Sequence, residues 1–356
     1  MRLNSDLYNV YFGRESLPLI GKAIVDNKYS NVFILCDSTT EELCLPHFIE
    51  SSELESAGIL IIEPGESSKT METISDMCQS LLTENADRKT LLINLGGGVV
   101  CDVGGFSASI YNRGIDFINV PTTLLAMVDA SIGGKTGVNL NNVKNAVGAF
   151  IAPHSVYVDA EFLNTLDEDE FKSGFAEIIK HALIVDEKYW QIISSITDLM
   201  IIENLISIIH RSIEIKLSIS SQDFRDTGFR KILNFGHTFG HAYESSSLKS
   251  EGRQLKHGHA VALGMIGELF LSAKLAGFPA EKLERVVDFI IMHFGKSFIN
   301  INENELAHYL FSDKKNENGK VGFYLLSDIG KGAGMFFPDD EIIHEALKFT
   351  SSIINE

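Results

Sequence analysis

Glycine crowded beside basic side chains is one of three patterns in this chain that could carry chemistry. Between residues 94 and 145 lie Gly96, Gly97, Gly98, Gly104, Gly105, Gly114, Gly133, Gly134 and Gly137, interleaved with Arg113, Thr122, Thr123, Lys135 and Lys144. Glycine at that density is tolerated where the chain turns sharply or another group approaches its backbone, and basic neighbours suit an anionic visitor. Gly96-Gly97-Gly98 follows the apolar run Leu91-Leu92-Ile93-Asn94-Leu95 and precedes a helix-like segment. It falls at a strand-to-helix turn, where free N–H groups and the positive end of a helix dipole favour phosphate. The dinucleotide fingerprint G-x-G-x-x-G is absent, because Cys101 stands where its last glycine would be.

The second pattern is histidine. His237 and His241 are four residues apart, on one face of a helix. Alone, such a pair is commonly packing or surface. With His257 and Glu177 on other predicted helices it offers N/O donors with an open position, the pattern of a catalytic zinc site. Lys180 lies one turn after Glu177. It reads either as an intrahelical ion pair or, beside a dication, as a cation made tolerable by an anionic substrate between them. The third pattern is acidic residues at strand ends. Asp37 either accepts from a ribose hydroxyl or caps a helix through Asp37-Ser38-Thr39-Thr40, and Asp102, read as beginning the helix after the glycines, has an N-cap reading.

These residues need a frame. The first half alternates β-rich apolar runs, at 32–36, 59–62, 91–93, 117–120 and 156–158, with helical or loop segments. This predicts a mostly parallel, helix-covered sheet. After about Asp167 helical spacing takes over: Ile202, Ile206, Ile209 and Ile213 share one face, followed by Leu217. Segments 168–184, 236–248, 257–277, 280–294 and 339–354 also read as helices. The expected fold is α/β: a Rossmann-like nucleotide-binding domain over 1–166, then an all-helical metal- and substrate-binding domain over 167–356, with a ligand cleft expected between them.

Composition narrows the function. A chain of 356 residues fits two domains. A net charge of −18 argues against nucleic-acid binding and makes the basic clusters in the Gly-rich stretch stand out. Cys36, Cys44, Cys78 and Cys101 have irregular spacing, fitting free thiols in a reducing compartment. No run approaches 18 apolar residues and the N-terminus lacks a signal-peptide stretch, so the expected location is cytoplasmic, off the membrane.

Several runs together resemble the 3-dehydroquinate synthase family, among the sugar phosphate cyclases: G-G-G-V-V-x-D at 96–102, R-G at 113–114, P-T-T-L-L-A-M-V-D-A-S-I-G-G-K-T-G at 121–137, K-N at 144–145, F-A-E-I-I-K-H at 175–181, N-F-G-H-T-F-G-H-A at 234–242 and H-G-H-A-V at 257–261. The resemblance covers nearly the whole chain in order. It implies conversion of 3-deoxy-D-arabino-heptulosonate 7-phosphate to 3-dehydroquinate and phosphate, with NAD and a divalent metal, zinc or cobalt. It implies Glu177, His237 and His257 as metal ligands, with His241 beside them or in acid–base work. For NAD it implies Asp37, Glu66 and Lys69 of the loop P-G-E-x-x-K, Gly97, Gly98, Val99, Asp102, Thr122, Thr123, Lys135, Lys144, Phe162 and Thr165. For substrate and catalysis it implies Asp129, Lys135, Asn145, Lys180, Lys216, Arg230, Asn234, His241 and Lys314 or Lys315, with Arg113 reaching the partner subunit's phosphate in a homodimer. One departure is His259, where most relatives read H-G-E-A-V: it is harmless if that glutamate is structural, and alters metal affinity or pH dependence if the glutamate orients a metal-bound histidine.

Two other functions draw on the same residues. A polyol dehydrogenase, such as glycerol dehydrogenase, would not need Lys135, Lys144, Lys180, Lys216 and Arg230 around a dianionic substrate, and would release NADH. A catalytically inactive NAD-binding regulator would not hold metal tightly.

Overall fold

The computed structural model describes residues 1–356 apart from 55, 142, 200, 203, 248–253, 296–302, 313–319 and 356. The chain forms two compact units, Met1–Asp167 with Ile209–Arg225, and Glu168–Ile208 with Asp226–Glu356. No helix among the described residues is long and apolar enough to cross a membrane.

The first unit is built on β1 (Arg2–Asn4), β2 (Asn9–Phe12), β3 (Asn31–Asp37), β4 (Gly58–Ile62), β5 (Thr90–Gly96), β6 (Asp116–Pro121), β7 (Lys135–Leu140), β8 (Val143–Phe150) and β9 (Ser155–Val158). Seven of these make one sheet in the order β1-β2-β9-β6-β5-β3-β4. All neighbours run parallel except β1 on β2. Helices α1 (Leu19–Asn27), α2 (Ser38–Leu43), α3 (Leu45–Ser52), α4 (Met71–Thr83) and α5 (Gly98–Ile110) connect the strands. Every residue of β5 is buried, as a strand covered on both faces requires, and this is why it reads as a run that is apolar but for Asn94, whose amide donates to Asn119 at 2.9 Å. From β3 the chain passes to the edge strand β4 and then back across to β5. That reversal opens the crevice at carboxyl ends where doubly wound sheets take ligands.

The remaining two strands, β7 and β8, pair with each other as an antiparallel hairpin. A Cβ on Gly148 would stand 2.1 Å from Thr136 O and one on Gly137 2.6 Å from Val147 O, so glycine lets the two strands approach.

The second unit contains α6 (Glu168–Val185), α7 (Glu187–Ile193), the start of α8 (Leu205–Gln222), α9 (His237–Ser247), α10 (His257–Leu275), α11 (Ala280–Phe294), α12 (Glu303–Ser312) and α13 (Asp340–Asn355). Among the described residues it is helical but for one antiparallel hairpin, β10 (Phe323–Asp328) with β11 (Lys331–Phe336), which corrects the all-helical expectation. α10 is buried nearly all round, from Gly258 through Ser272, and forms the axis of the unit. Ile209–Arg225, expected in the second domain, groups with the first unit. Lys216 bonds to Asp129, and Phe224 packs on Phe150 with ring centroids 6.1 Å apart.

Candidate active site

In the second unit, Glu177 projects from α6, and His237 and His257 are the first residues of α9 and α10. Glycine brings these helices together: a Cβ on Gly258 would lie 2.2 Å from Ser173 O, and one on Gly264 1.9 Å from Gly236 O. Three side chains from separate helices thereby converge. Glu177 Oε1 is 3.6 Å from His237 Nε2 and 3.7 Å from His257 Nε2, and Glu177 is fully buried.

This donor set fits a metal ion. The Glu177 carboxylate faces three cationic or basic groups, Lys180, His237 and His257. Donors about 2.0–2.2 Å from a tetrahedral zinc stand about 3.4 Å apart, a few tenths short of the separations seen here. The Nδ1 of His237 lies 3.3 Å from the carbonyl of Phe235, which leaves Nε2 for the ion. Burial alone would raise the Glu177 carboxyl, but Lys180, then His237 and His257, hold it well below the usual carboxylate range. Burial works against a charged His257 as well, yet contacts with Glu177 and Glu244 hold its imidazole up to about 9. Lys180 is buried and ion-paired with Glu177. The ring of His241 is 5.5 Å from that of His237 and nearly perpendicular to it, beside the three donors.

His259 does not face His257. Its ring packs on Phe294 at 5.4 Å, and its Nε2 is 3.9 Å from Asp169. The carboxylate beside His257 Nδ1 is Glu244, at 3.7 Å. Sequence reasoning passed over Glu244, although it lies seven residues after His237, on the same helix face. Arg230 is buried on the turn Phe229–Asn234 that leads into α9, and Asn234 closes that turn at the surface. Lys314 and Lys315 lie outside the described residues.

In the first unit the expected cofactor residues gather along the carboxyl ends of the sheet. Asp37 ends β3 opposite Ile62 of β4, and Gly96 of β5 is opposite Pro121 of β6. Gly97 and Gly98 therefore stand beside Thr122 and Thr123, and a Cβ on Gly97 would be 3.2 Å from Thr123 Cγ2. The N-cap of α5 is Gly97, so Gly97, Gly98 and Val99 present its free amides, a position suited to a phosphate.

Asp102 therefore sits inside α5 rather than at its cap. It pairs with the buried Lys69 at 2.6 Å. Burial raises its carboxyl, and Lys69 opposes that. Asp37 does cap α2, accepting from Thr40 N at 2.8 Å. Glu66 accepts from Asn139 at 2.8 Å, and Asn139 in turn accepts from the amide of Asn145 at 2.8 Å, tying the P-G-E-x-x-K loop to the β7–β8 hairpin. On that hairpin Lys135 opens β7 and Lys144 lies in β8, both exposed. Phe162, buried, and Thr165, exposed, follow β9 on the turn Ala160–Thr165.

Lys216 is buried and held on Asp129, 2.5 Å from Oδ1 and 2.6 Å from the carbonyl. Asp129 belongs to a π-helical turn, Ala126–Ala130, a local irregularity common at functional sites. Arg113 lies at the other end of the first unit's sheet from Gly97 and Thr122: it is exposed just before β6, at the amino end. Asn112, Arg113 and Gly114 all have positive φ there, of 50°, 69° and 114°. A second group in this unit, His47 with Asp159 and Glu161, also brings potential ligand atoms together. It is already closed as an ion-pair cluster, with His47 2.9 Å from Asp159 and Arg14 3.6 Å from Glu161.

Two family descriptions match adjoining parts of the chain: "3-dehydroquinate synthase N-terminal" over residues 59–173 and "3-dehydroquinate synthase C-terminal" over 174–316. The 3-dehydroquinate synthase of Parabacteroides distasonis is 44% identical over 305 residues, covering 85% of this chain and 86% of that one. The same enzyme of Campylobacter jejuni subsp. doylei is 39% identical over 341 residues, 93% of each chain. Among solved structures, 2-deoxy-scyllo-inosose synthase complexed with carbaglucose-6-phosphate, NAD+ and Co2+ aligns with a TM-score of 0.85 at 27% identity over 96% of each chain. With relatives this close matched over most of its length, the chain belongs to the 3-dehydroquinate synthase family.

Proposed function

We propose that the chain is itself a 3-dehydroquinate synthase, a phosphate-eliminating carbon–oxygen lyase. It converts 3-deoxy-D-arabino-heptulosonate 7-phosphate to 3-dehydroquinate and phosphate with bound NAD and one zinc or cobalt ion. The observation that carries this reading is the buried Glu177 carboxylate facing His237, His257 and Lys180. Support for the cofactors comes from the cyclase complexed with NAD+ and Co2+. The 44% identity to a dehydroquinate synthase, against 27% to that cyclase, supports the substrate.

When bound, NAD would take a hydride and later return it while the ion polarises the oxygen at that carbon. Glu177, His237 and His257 would hold the ion. A ketone beside the phosphate-bearing arm makes the adjacent proton acidic, so phosphate leaves by elimination, and an aldol step closes the carbocycle. Lys180 Nζ would donate to oxygen as negative charge develops, and His241 would carry protons from beside the centre. Lys216, fixed by Asp129, would bind substrate anions and hydroxyls together with Lys135, Lys144, Asn145, Arg230 and Asn234. Asp37, Glu66, Lys69, Gly97, Gly98, Val99, Asp102, Thr122, Thr123, Phe162 and Thr165 would bind NAD.

Arg113 is separated from Thr122 by the whole of β6, about 20 Å at ~3.3 Å per residue. It would therefore serve the phosphate of a partner subunit in a homodimer rather than that of its own chain. Chelation should abolish product formation, and added Zn2+ or Co2+ should restore it. Full activity in protein shown to be free of metal would overturn the assignment.

A further inference from the structure

The reading above leaves one fully buried carboxylate without a part. Glu268, on α10, is completely inaccessible to solvent, yet its two oxygens accept from backbone amides of another helix: Oε2 from Gly236 N at 2.8 Å and Oε1 from Thr238 N at 3.1 Å. Burial pushes its carboxyl up to about 8, and the amides of Gly236, Thr238 and Phe239 and the charge of Lys180 oppose that rise. These amides are among the first of α9. A helix start leaves its first N–H groups unpaired and carries partial positive charge. α9 has no acidic residue in its first turn, and the residue before it is Gly236, which has no side chain to cap with. Glu268 supplies from α10 the cap that α9 lacks.

The two amides gripped most directly flank a single residue, His237. Gly236 is itself fixed against α10: its φ is +82°, and a Cβ there would stand 2.6 Å from Met265 Cγ. The His237 backbone is thus tied on both sides by one carboxylate that lies one helical turn beyond Gly264, the point where the two backbones touch. Its ring is then the only part left to turn, and Nδ1 faces the carbonyl of Phe235 at 3.3 Å.

We infer that Glu268 is a positioning residue for the metal centre: by holding the backbone amides on either side of His237, it fixes where Nε2 of that histidine points. This rests on the reading of Glu177, His237 and His257 as metal ligands. Residues that hold ligands in place typically change metal affinity by about 10–100-fold when altered. An amide at position 268 keeps one acceptor and turns its NH2 towards a backbone N–H, so Glu268→Gln should release one side of His237.

The test is Co2+ titration of chelator-stripped, full-length protein, reading the dissociation constant and the visible d–d spectrum. Wild-type protein should bind Co2+ with a tetrahedral spectrum. Glu268→Gln should bind about 10–100-fold more weakly, with altered d–d bands. Ser272→Ala is the control for general loosening: its hydroxyl, one turn further along α10, donates to Glu268 O at 2.7 Å and accepts from Leu326 N at 3.1 Å, away from α9. It should lower the melting temperature while leaving Co2+ affinity and spectrum unchanged. If Glu268→Gln does not fold, Glu268→Asp, which keeps the carboxyl group but draws it back by one methylene, should show the same weakening.

Unaltered Co2+ binding in the folded Glu268 variant, or equal weakening in Ser272→Ala, overturns the positioning role. Wild-type protein that takes up no Co2+ overturns the metal centre itself, a different failure read in the same experiment.

Discussion

Replacing Lys180 with methionine should destabilise the metal-free protein much more than the metal-loaded one. The side chains of Glu177 and Lys180 are 0% and 2% exposed, so the variant leaves a carboxylate in the interior without its permanent counter-charge. Removing one partner of a buried ion pair costs about 3–5 kcal/mol. His237 and His257, at 3.6 and 3.7 Å, are close enough to take over part of the pairing, which favours the lower end. At roughly 3 kcal/mol, and about 2–4 °C per kcal/mol for a domain of roughly 150–250 residues, the chelated variant should melt about 6–12 °C below chelated wild type. A zinc ion on Glu177 replaces the lost cation, so excess Zn2+ should close most of that gap. Differential scanning calorimetry in chelator and in zinc reads both values. Equal melting temperatures in chelator, or a gap that zinc leaves untouched, would refute the electrostatic account of Glu177.

Two further expectations follow from the same geometry. His257 is held up to about 9, above its ordinary 6.5, so its stabilising charge is complete below about pH 6.5 and is lost as pH climbs towards 9. Chelated protein should melt progressively lower across that window, while metal affinity rises as the competing proton leaves; a flat melting profile there would contradict the pairing with Glu177 and Glu244. Mixing Arg113→Ala subunits with His237→Ala subunits should recover activity through heterodimers with one intact site, and heterodimers that form without recovery would place Arg113 in its own chain's service.

Much of this was legible where one pattern decides. β5 is buried on both faces and α10 all round, so each reads as a long apolar run with its own period. The proposed ligands Glu177, His237 and His257, whose donor atoms converge, were legible through type and motif. What escaped depends on contacts between distant segments. The β7–β8 hairpin has glycine where apolar alternation would announce a strand, because its backbones nearly touch at Gly137 and Gly148. β11 is broken by Gly332, where a Cβ would meet the Tyr324 side chain at 2.6 Å, and by Gly334, which has a φ of +105°. Asp102 was placed one turn too early because α5 begins directly at the strand end, with Gly97 as its cap. Glu268 is invisible in sequence: its amide partners lie 32 and 30 residues away, and within α10 it is one acid in a buried helix.

The central claim is a redox cycle that closes on itself within one substrate. Its most direct measurement follows phosphate and NADH together while the metal-loaded protein acts on 3-deoxy-D-arabino-heptulosonate 7-phosphate, with NAD far below the substrate concentration. The account predicts many phosphates released per NAD, with no accumulation of NADH. NADH rising in step with substrate consumed, without phosphate release, would contradict it and point to a polyol dehydrogenase.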